Sequence, residues 1–210
     1  MKITVIGAGN MGAAFVKQLS RAGHQVSVTA RDAAKAAQVA AANPGARAVP
    51  AAGAAEGADA VVLATGYADA VAALRGVGNL AGQVVVDITN PLTPDYMGLT
   101  IGHSTSAAEE IAKTVPGANV VKAFNTVFAQ VLGEGADFGH GRKVEVFVAS
   151  DSERAKQTAA AIAESMGFVV VDAGGLKNAR YLEPLAGLNI YLAYGAGRGT
   201  GIAPAWIRKA

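Results

Sequence analysis

Ile3-Thr4-Val5-Ile6-Gly7-Ala8-Gly9-Asn10-Met11-Gly12 stands almost at the start of the chain. The apolar run from Ile3 to Ile6 reads as a strand buried on both faces. Ala13, Ala14, Phe15, Val16 and Leu19 then recur at helical spacing until Gly23, a plausible C-cap. A G-x-G-x-x-G run set between strand and helix is the fingerprint of a dinucleotide-binding βαβ unit, and each glycine has a task. Gly7 permits the tight turn, Gly9 lets the backbone approach a pyrophosphate, and Gly12 lets helix and strand pack closely. The amides of the first helical turn, including those of Asn10 and Met11, then face the diphosphate with the positive end of the helix dipole behind them.

Outward from this motif the same alternation continues. Val26 and Val28 mark a second strand, and Asp32 is the N-cap of an alanine-rich helix stopped by Asn43-Pro44-Gly45. Strands are predicted over 60–64, 84–88, 120–124, 144–149 and 168–171. Helices are predicted over 68–74, 106–114 and 151–166, with Ser106 and Glu109 forming a capping box. Residues 176–194 form a further helical stretch that Pro184 either kinks or starts. The prediction is an α/β protein: a Rossmann-type, doubly wound, mostly parallel sheet with a C-terminal helical segment. Residues 1–175 constitute the nucleotide-binding domain, and residues 176–210 pack on it or on a partner subunit.

Composition narrows the class. The 210 residues are 51 % hydrophobic and 16 % charged, with a formal charge of +2, no cysteine and 26 glycines. Such a chain is too apolar for disorder, and its apolar runs are too short to span a membrane. Without clustered Lys and Arg there is no footprint for nucleic acid. Disulfides, thiolate metal sites and a cysteine nucleophile are excluded, and no histidine pair has metal-ligand spacing. The N-terminus enters a strand with no signal peptide before it, which predicts a cytoplasmic protein acting on small molecules.

The end of the second strand discriminates between nucleotides. NAD-binding chains place an acid there for the ribose hydroxyls. If Val26 and Val28 point into the sheet, the next residue in register is Ala30, which is uncharged. Arg31 follows, suited to clamp a 2′-phosphate, and Thr29 adds a hydroxyl. Asp32 stands 20 residues after Gly12, where the acid is expected by count, yet its position at a helix start makes it an N-cap. NADP is the predicted nucleotide.

Ligands of such sheets bind beyond the carboxyl ends of the strands. Thr65 and Gly66 are placed for backbone contacts. Tyr67 either stacks on a ring or is a partly buried aromatic. Asn90, before Pro91, and Asn125, before Thr126, either hold the nicotinamide side or serve as turn residues. Lys122 and His103 are the candidates for a proton donor, Lys122 on the assumption that it snorkels from a strand end. His24 is structural and His140 lies in a loop. The lack of an obvious acid–base pair suits hydride transfer between two flat rings, which needs stacking and alignment.

With these residues in view, the chain resembles the NADPH-dependent reductases of the deazaflavin coenzyme F420. The resemblance is carried by the glycine motif, Ala30-Arg31, Asn90-Pro91-Leu92, Ser106-Ala107-Ala108-Glu109 and Val121-Lys122-Ala123-Phe124-Asn125-Thr126. Its most specific mark is Asp172-Ala173-Gly174-Gly175-Leu176-Lys177-Asn178-Ala179-Arg180, followed by a helix carrying Glu183. The module also looks like the cytosolic domain of certain membrane metalloreductases. The resemblance implies NADPH on the glycine loop and Arg31, F420 or a flavin such as FMN over the nicotinamide, and a homodimer. The family often has Pro and an aromatic at Gly66-Tyr67, and His at Asn125. The alternatives are a reductase of a small carbonyl or imine and a non-catalytic NADP-binding redox sensor.

Overall fold

The structure is a computed structural model that describes residues 1–207 and residue 209. Its elements are β1 (Lys2–Ile6), α1 (Asn10–Arg21), β2 (Gln25–Thr29), α2 (Ala33–Ala41), β3 (Ala46–Ala48), β4 (Ala60–Leu63), α3 (Tyr67–Gly76), β5 (Val84–Asp87), α4 (Ala107–Thr114), β6 (Asn119–Lys122), α5 (Ala129–Glu134), β7 (Glu145–Val148), α6 (Glu153–Ser165), β8 (Val169–Asp172) and α7 (Ala179–Ile190). Six strands pair in the order β3-β2-β1-β4-β5-β6, all parallel. Strands β7 and β8 form a parallel pair, joined to the β6 edge by an antiparallel bridge between Lys122 and Ala149.

Parallel strands covered on both faces must be apolar at every position, and the side chains partition by period two. Ile3, Val5, Val62, Val84 and Val86 join the core under α1 and α6, whereas Ile6, Val61, Leu63 and Val85 join the core under α3 and α4. Continuous apolar runs in the sequence are therefore two interleaved faces. The winding reverses between β1 and β4, so a crevice opens at their carboxyl ends.

The predicted caps form. Asp32 accepts the amides of Ala34 and Lys35, and Ser106 accepts the amide of Glu109 while donating to that carboxylate at 2.8 Å. Pro184 lies inside α7, past its first turn, and the helix continues through it. The chain tightens into a 3-10 turn before α7 (Leu176–Asn178) and widens into a π turn after it (Tyr191–Gly195). His24 bridges the N-terminal amine at 3.2 Å and the Ser165 hydroxyl at 2.9 Å, a structural post as expected.

Two elements went unread in the sequence, and one expected strand ends early. The short edge strand β3, of sequence Ala-Arg-Ala, carries no period to detect. Helix α5 has six residues, too few for a helical pattern to emerge. The strand expected over 120–124 stops at Lys122, because Phe124 takes φ +58° and turns the chain out of the sheet.

Close approach fixes the glycine motif from below. A Cβ on Gly12 would lie 2.0 Å from the Gly7 carbonyl oxygen, and one on Gly7 would lie 2.3 Å from that of Ala64. Gly12→Ala should therefore push α1 off β1 and cost about 2–3 kcal/mol or more, as forced overpacking does. A drop in thermal midpoint measured without nucleotide checks this.

Candidate functional site

Two cavities lie at the carboxyl edge, on either side of the N-terminus of α1. The first, of about 520 Å³, is lined by Gly7 and Gly9 of the glycine loop, by Thr29, Ala30 and Arg31 after β2, and by Thr65 and Gly66 after β4. All seven were expected there. Gly9 caps α1 without a side chain, so the first-turn amides of the helix have no internal acceptor. A Cβ on Gly9 would meet nothing within 4 Å. The fold does not require glycine here; the open space admits a ligand against the backbone. These features fit a dinucleotide diphosphate.

Ala30 leaves the end of β2 uncharged, and Arg31 leans over the cavity mouth to Asp69, with Nη1 to Oδ1 at 3.2 Å. Asp32 also borders the cavity, but its Oδ1 is committed to two backbone amides as the N-cap of α2.

The second cavity, about 260 Å³, lies between this edge and α7. It is lined by Asn90 and Asn125, expected on the nicotinamide side, by Asn10 and Met11, whose amides were expected at the diphosphate, and by Phe128, Asn189 and Tyr194. The strained turn at Phe124 is held by edge-on contacts with Phe15 at 5.0 Å and Phe168 at 6.0 Å, and it delivers Asn125 to the wall. Asn125 donates both Nδ2 hydrogens, to Leu182 O at 2.9 Å and Asn90 Oδ1 at 3.0 Å, and Asn90 Nδ2 returns a bond to Asn125 O at 2.8 Å. With both donors engaged, the buried Asn125 Oδ1 is an acceptor with no partner among the described residues.

Several expected site residues are elsewhere. Lys122 does not snorkel: it is 0 % exposed, its ammonium donates to Thr89 O at 2.7 Å, and it forms ion pairs with Asp87 Oδ2 at 2.7 Å and Glu183 Oε1 at 2.9 Å. Buried between two carboxylates and lining neither cavity, it is not placed to give a proton to a substrate. Burial lowers its pKa, but the adjoining Asp87 and Glu183 carboxylates outweigh that and raise it above the ordinary lysine value. His103 borders a different cavity, with Lys177, Arg180, Tyr181 and Pro184. Tyr67 opens α3 and packs on the core beneath it, lining neither cavity at the sheet edge. Burial, then the carboxylates of Glu110, Glu183 and Asp87, push its hydroxyl above the usual tyrosine range. Pro91 lines neither cavity; its carbonyl accepts the amide of Thr100 at 2.7 Å and anchors the following loop. Gly12 acts from beneath, through packing.

Sequence reasoning passed over Asp87 and gave Glu183 no role beyond marking the family resemblance. Glu183, 1 % exposed, also accepts the amides of Ala107 and Ala108 at the start of α4, so one carboxylate ties α7 to both a strand and a helix N-terminus. Arg180 adds a two-pronged bond to Glu109, at 2.8 and 2.7 Å, and holds that carboxyl below its usual range. A signal for the pair existed: two neighbouring apolar strands end in opposite charges, Asp87 and Lys122, at the same register.

A glycine-looped crevice at the switch point of a Rossmann sheet, with an uncharged second-strand end followed by arginine, defines the NADP-dependent oxidoreductase class. The family profile described as NADP oxidoreductase coenzyme F420-dependent matches residues 2–91. The F420-dependent NADP reductase of Methanothermobacter thermautotrophicus is 31 % identical over 217 residues, covering 91 % of this chain and 89 % of that protein. A crystal structure assigned as an F420-dependent NADP-reductase from Arthrobacter sp. FB24 superposes with a TM-score of 0.85 at 32 % identity, covering 96 % of both chains. The metalloreductase STEAP3 of Rattus norvegicus is 28 % identical over 185 residues, but the chain spans only 36 % of that protein's length. A reductive aminase of Aspergillus terreus shares the fold, with a TM-score of 0.68 at 19 % identity. The chain belongs to the F420-dependent NADP reductase family and is an NADP-dependent oxidoreductase.

Two outcomes follow from this geometry. Gly9→Ala should leave the thermal midpoint unchanged and weaken NADPH at least tenfold by titration, because the added methyl occupies ligand space rather than protein space. Lys122→Met should cost about 3–5 kcal/mol, since it strands two buried carboxylates. The raised folded pKa means the lysine's contribution is complete below the unfolded value of about 10.4 and fades only as pH climbs through the folded one. Denaturant melts of the variant and parent at pH 7 and pH 9 should differ by the same amount.

Proposed function

We propose that this protein transfers hydride between NADPH and a flat tricyclic acceptor, either the deazaflavin coenzyme F420 or a flavin such as FMN. The observation that carries this reading is the smaller cavity. Its walls are apolar, amide or hydroxyl groups, and among the described residues its only titratable members are Tyr96 and Tyr194. Such a site orients a ring and excludes water, and it does little acid–base chemistry. Reduction of a small carbonyl or imine is disfavoured, because Lys122 is buried and lines neither cavity, and His103 borders another one.

In this reading Gly7, Gly9 and the first-turn amides of Asn10 and Met11 hold the diphosphate, with Gly12 packing beneath them. Arg31 clamps the 2′-phosphate, with Thr29 and Ala30 beneath the ribose and Thr65 and Gly66 along its flank. NADPH bound there supplies the hydride. Asn90 and Asn125 orient the nicotinamide side through their mutual hydrogen bonds and the free Oδ1. Residues 1–175 form the nucleotide domain, and the helical segment that follows closes the acceptor side with Ala186, Asn189, Ile190 and Tyr194. Tyr181, Leu188 and Tyr191 are exposed along one stripe of the C-terminal helical stretch. That stripe suits the same face of a second copy, giving a homodimer. Among the described residues no helix is long and apolar enough to cross a membrane, and we place the protein in the cytoplasm.

Oxidation of NADPH, followed by its absorbance, tests the acceptor with F420, FMN and a carbonyl and imine panel side by side. Turnover of F420 or FMN is expected. Turnover of carbonyls or imines alone would overturn the reading, and binding without any turnover would favour a redox sensor. Arg31→Ala should weaken NADPH about tenfold or more while changing NADH little, given the strength of guanidinium–phosphate pairing.

A further inference from the structure

Four charged side chains line the adenosine-side cavity: Arg31, Asp32, Lys35 and Asp69. Asp32 is bound to the backbone of α2 and lies 4.0 Å from the Lys35 ammonium. Asp69, in the first turn of α3, reaches from the opposite wall to Arg31, and Arg31 is the one partner its carboxylate has among the described residues. Each cation therefore faces one carboxylate, and only Asp69 has no second bond to keep it in place. The pair is open to water, with the two side chains 87 % and 49 % exposed.

We propose that Asp69 is a specificity-determining residue, a counter-anion that occupies Arg31 until the nucleotide's 2′-phosphate replaces it. It thereby sets how strongly NADP(H) is preferred over NAD(H). The inference rests on the reading of Arg31 as the phosphate clamp. An exposed ion pair is weak, so a phosphate carrying more charge and more acceptor oxygens displaces the carboxylate. The displaced carboxylate stays close, because α3 fixes its Cα, and from there it repels the phosphate. A nucleotide with a plain 2′-hydroxyl neither breaks the pair nor meets that repulsion. Asp69 thus weakens only the phosphorylated nucleotide: it orients the arginine in the free protein, hastens release and moderates the preference. A carboxylate serving instead to accept the adenine amine would strengthen both nucleotides alike, and the two roles separate experimentally.

The experiment is calorimetric titration of 2′,5′-ADP and of 5′-ADP into the parent protein, Asp69→Asn, Asp69→Ser and Arg31→Ala. Neither probe carries nicotinamide, so the acceptor side is not involved. Both Asp69 variants should bind 2′,5′-ADP about three- to tenfold more tightly, with 5′-ADP within twofold of the parent, and the gain should shrink as salt is raised. Unchanged or weaker 2′,5′-ADP binding in both Asp69 variants overturns the inference, as does an equal change for the two probes. If Arg31→Ala still loses 2′,5′-ADP selectively, the clamp reading survives that failure. If Arg31→Ala loses both probes equally, the clamp reading itself fails and the role of Asp69 falls with it.

Discussion

A lysine ammonium with no access to water organises the carboxyl edge of this protein. Lys122 draws together Asp87 from the neighbouring strand, Glu183 from α7 and the carbonyl of Thr89. Two carboxylates and one ammonium leave a buried net negative charge, which the N-terminus of α4 offsets through the amides of Ala107 and Ala108. Separating α7 from the sheet would expose these groups to one another's loss, and a buried charge without its partner is far costlier than an exposed one. The C-terminal helix is thereby locked onto the sheet at one orientation, and the smaller cavity takes its shape from that lock.

The nucleotide side is built differently. Its precision comes from absences: no Cβ at Gly7 or Gly12, so that strand, loop and helix close to within contact, and none at Gly9, so that the backbone is bare. The acceptor side instead relies on stored strain. Phe124 holds a left-handed backbone that costs of the order of 1–2 kcal/mol, and two edge-on aromatic contacts keep it there. The reward is a strand end that swings Asn125 outward, where its bonds to Asn90 and Leu182 join both cavity walls.

Much of this was legible from the chain alone. Apolar runs, the glycine motif and the caps at Asp32 and Ser106 are local signals, and the corresponding elements form where local physics places them. The residues of the nucleotide-side cavity were readable for the same reason, since loop, second-strand end and fourth-strand end follow from the motif by register. Lys122, His103, Tyr67 and Pro91 were not. A lysine at a strand end reads as a snorkelling cation until its two counter-charges are known, and one of them lies 61 residues away on α7.

The sequence by itself determined the alternation of strands and helices, the diphosphate-cradling turn and the uncharged end of β2, because each depends on neighbours within a few residues. The tertiary structure alone decided which charges are buried together, where α7 lies and which side of it faces the crevice. Those outcomes depend on groups that meet only after the sheet has closed, through pairings for which spacing along the chain carries no code.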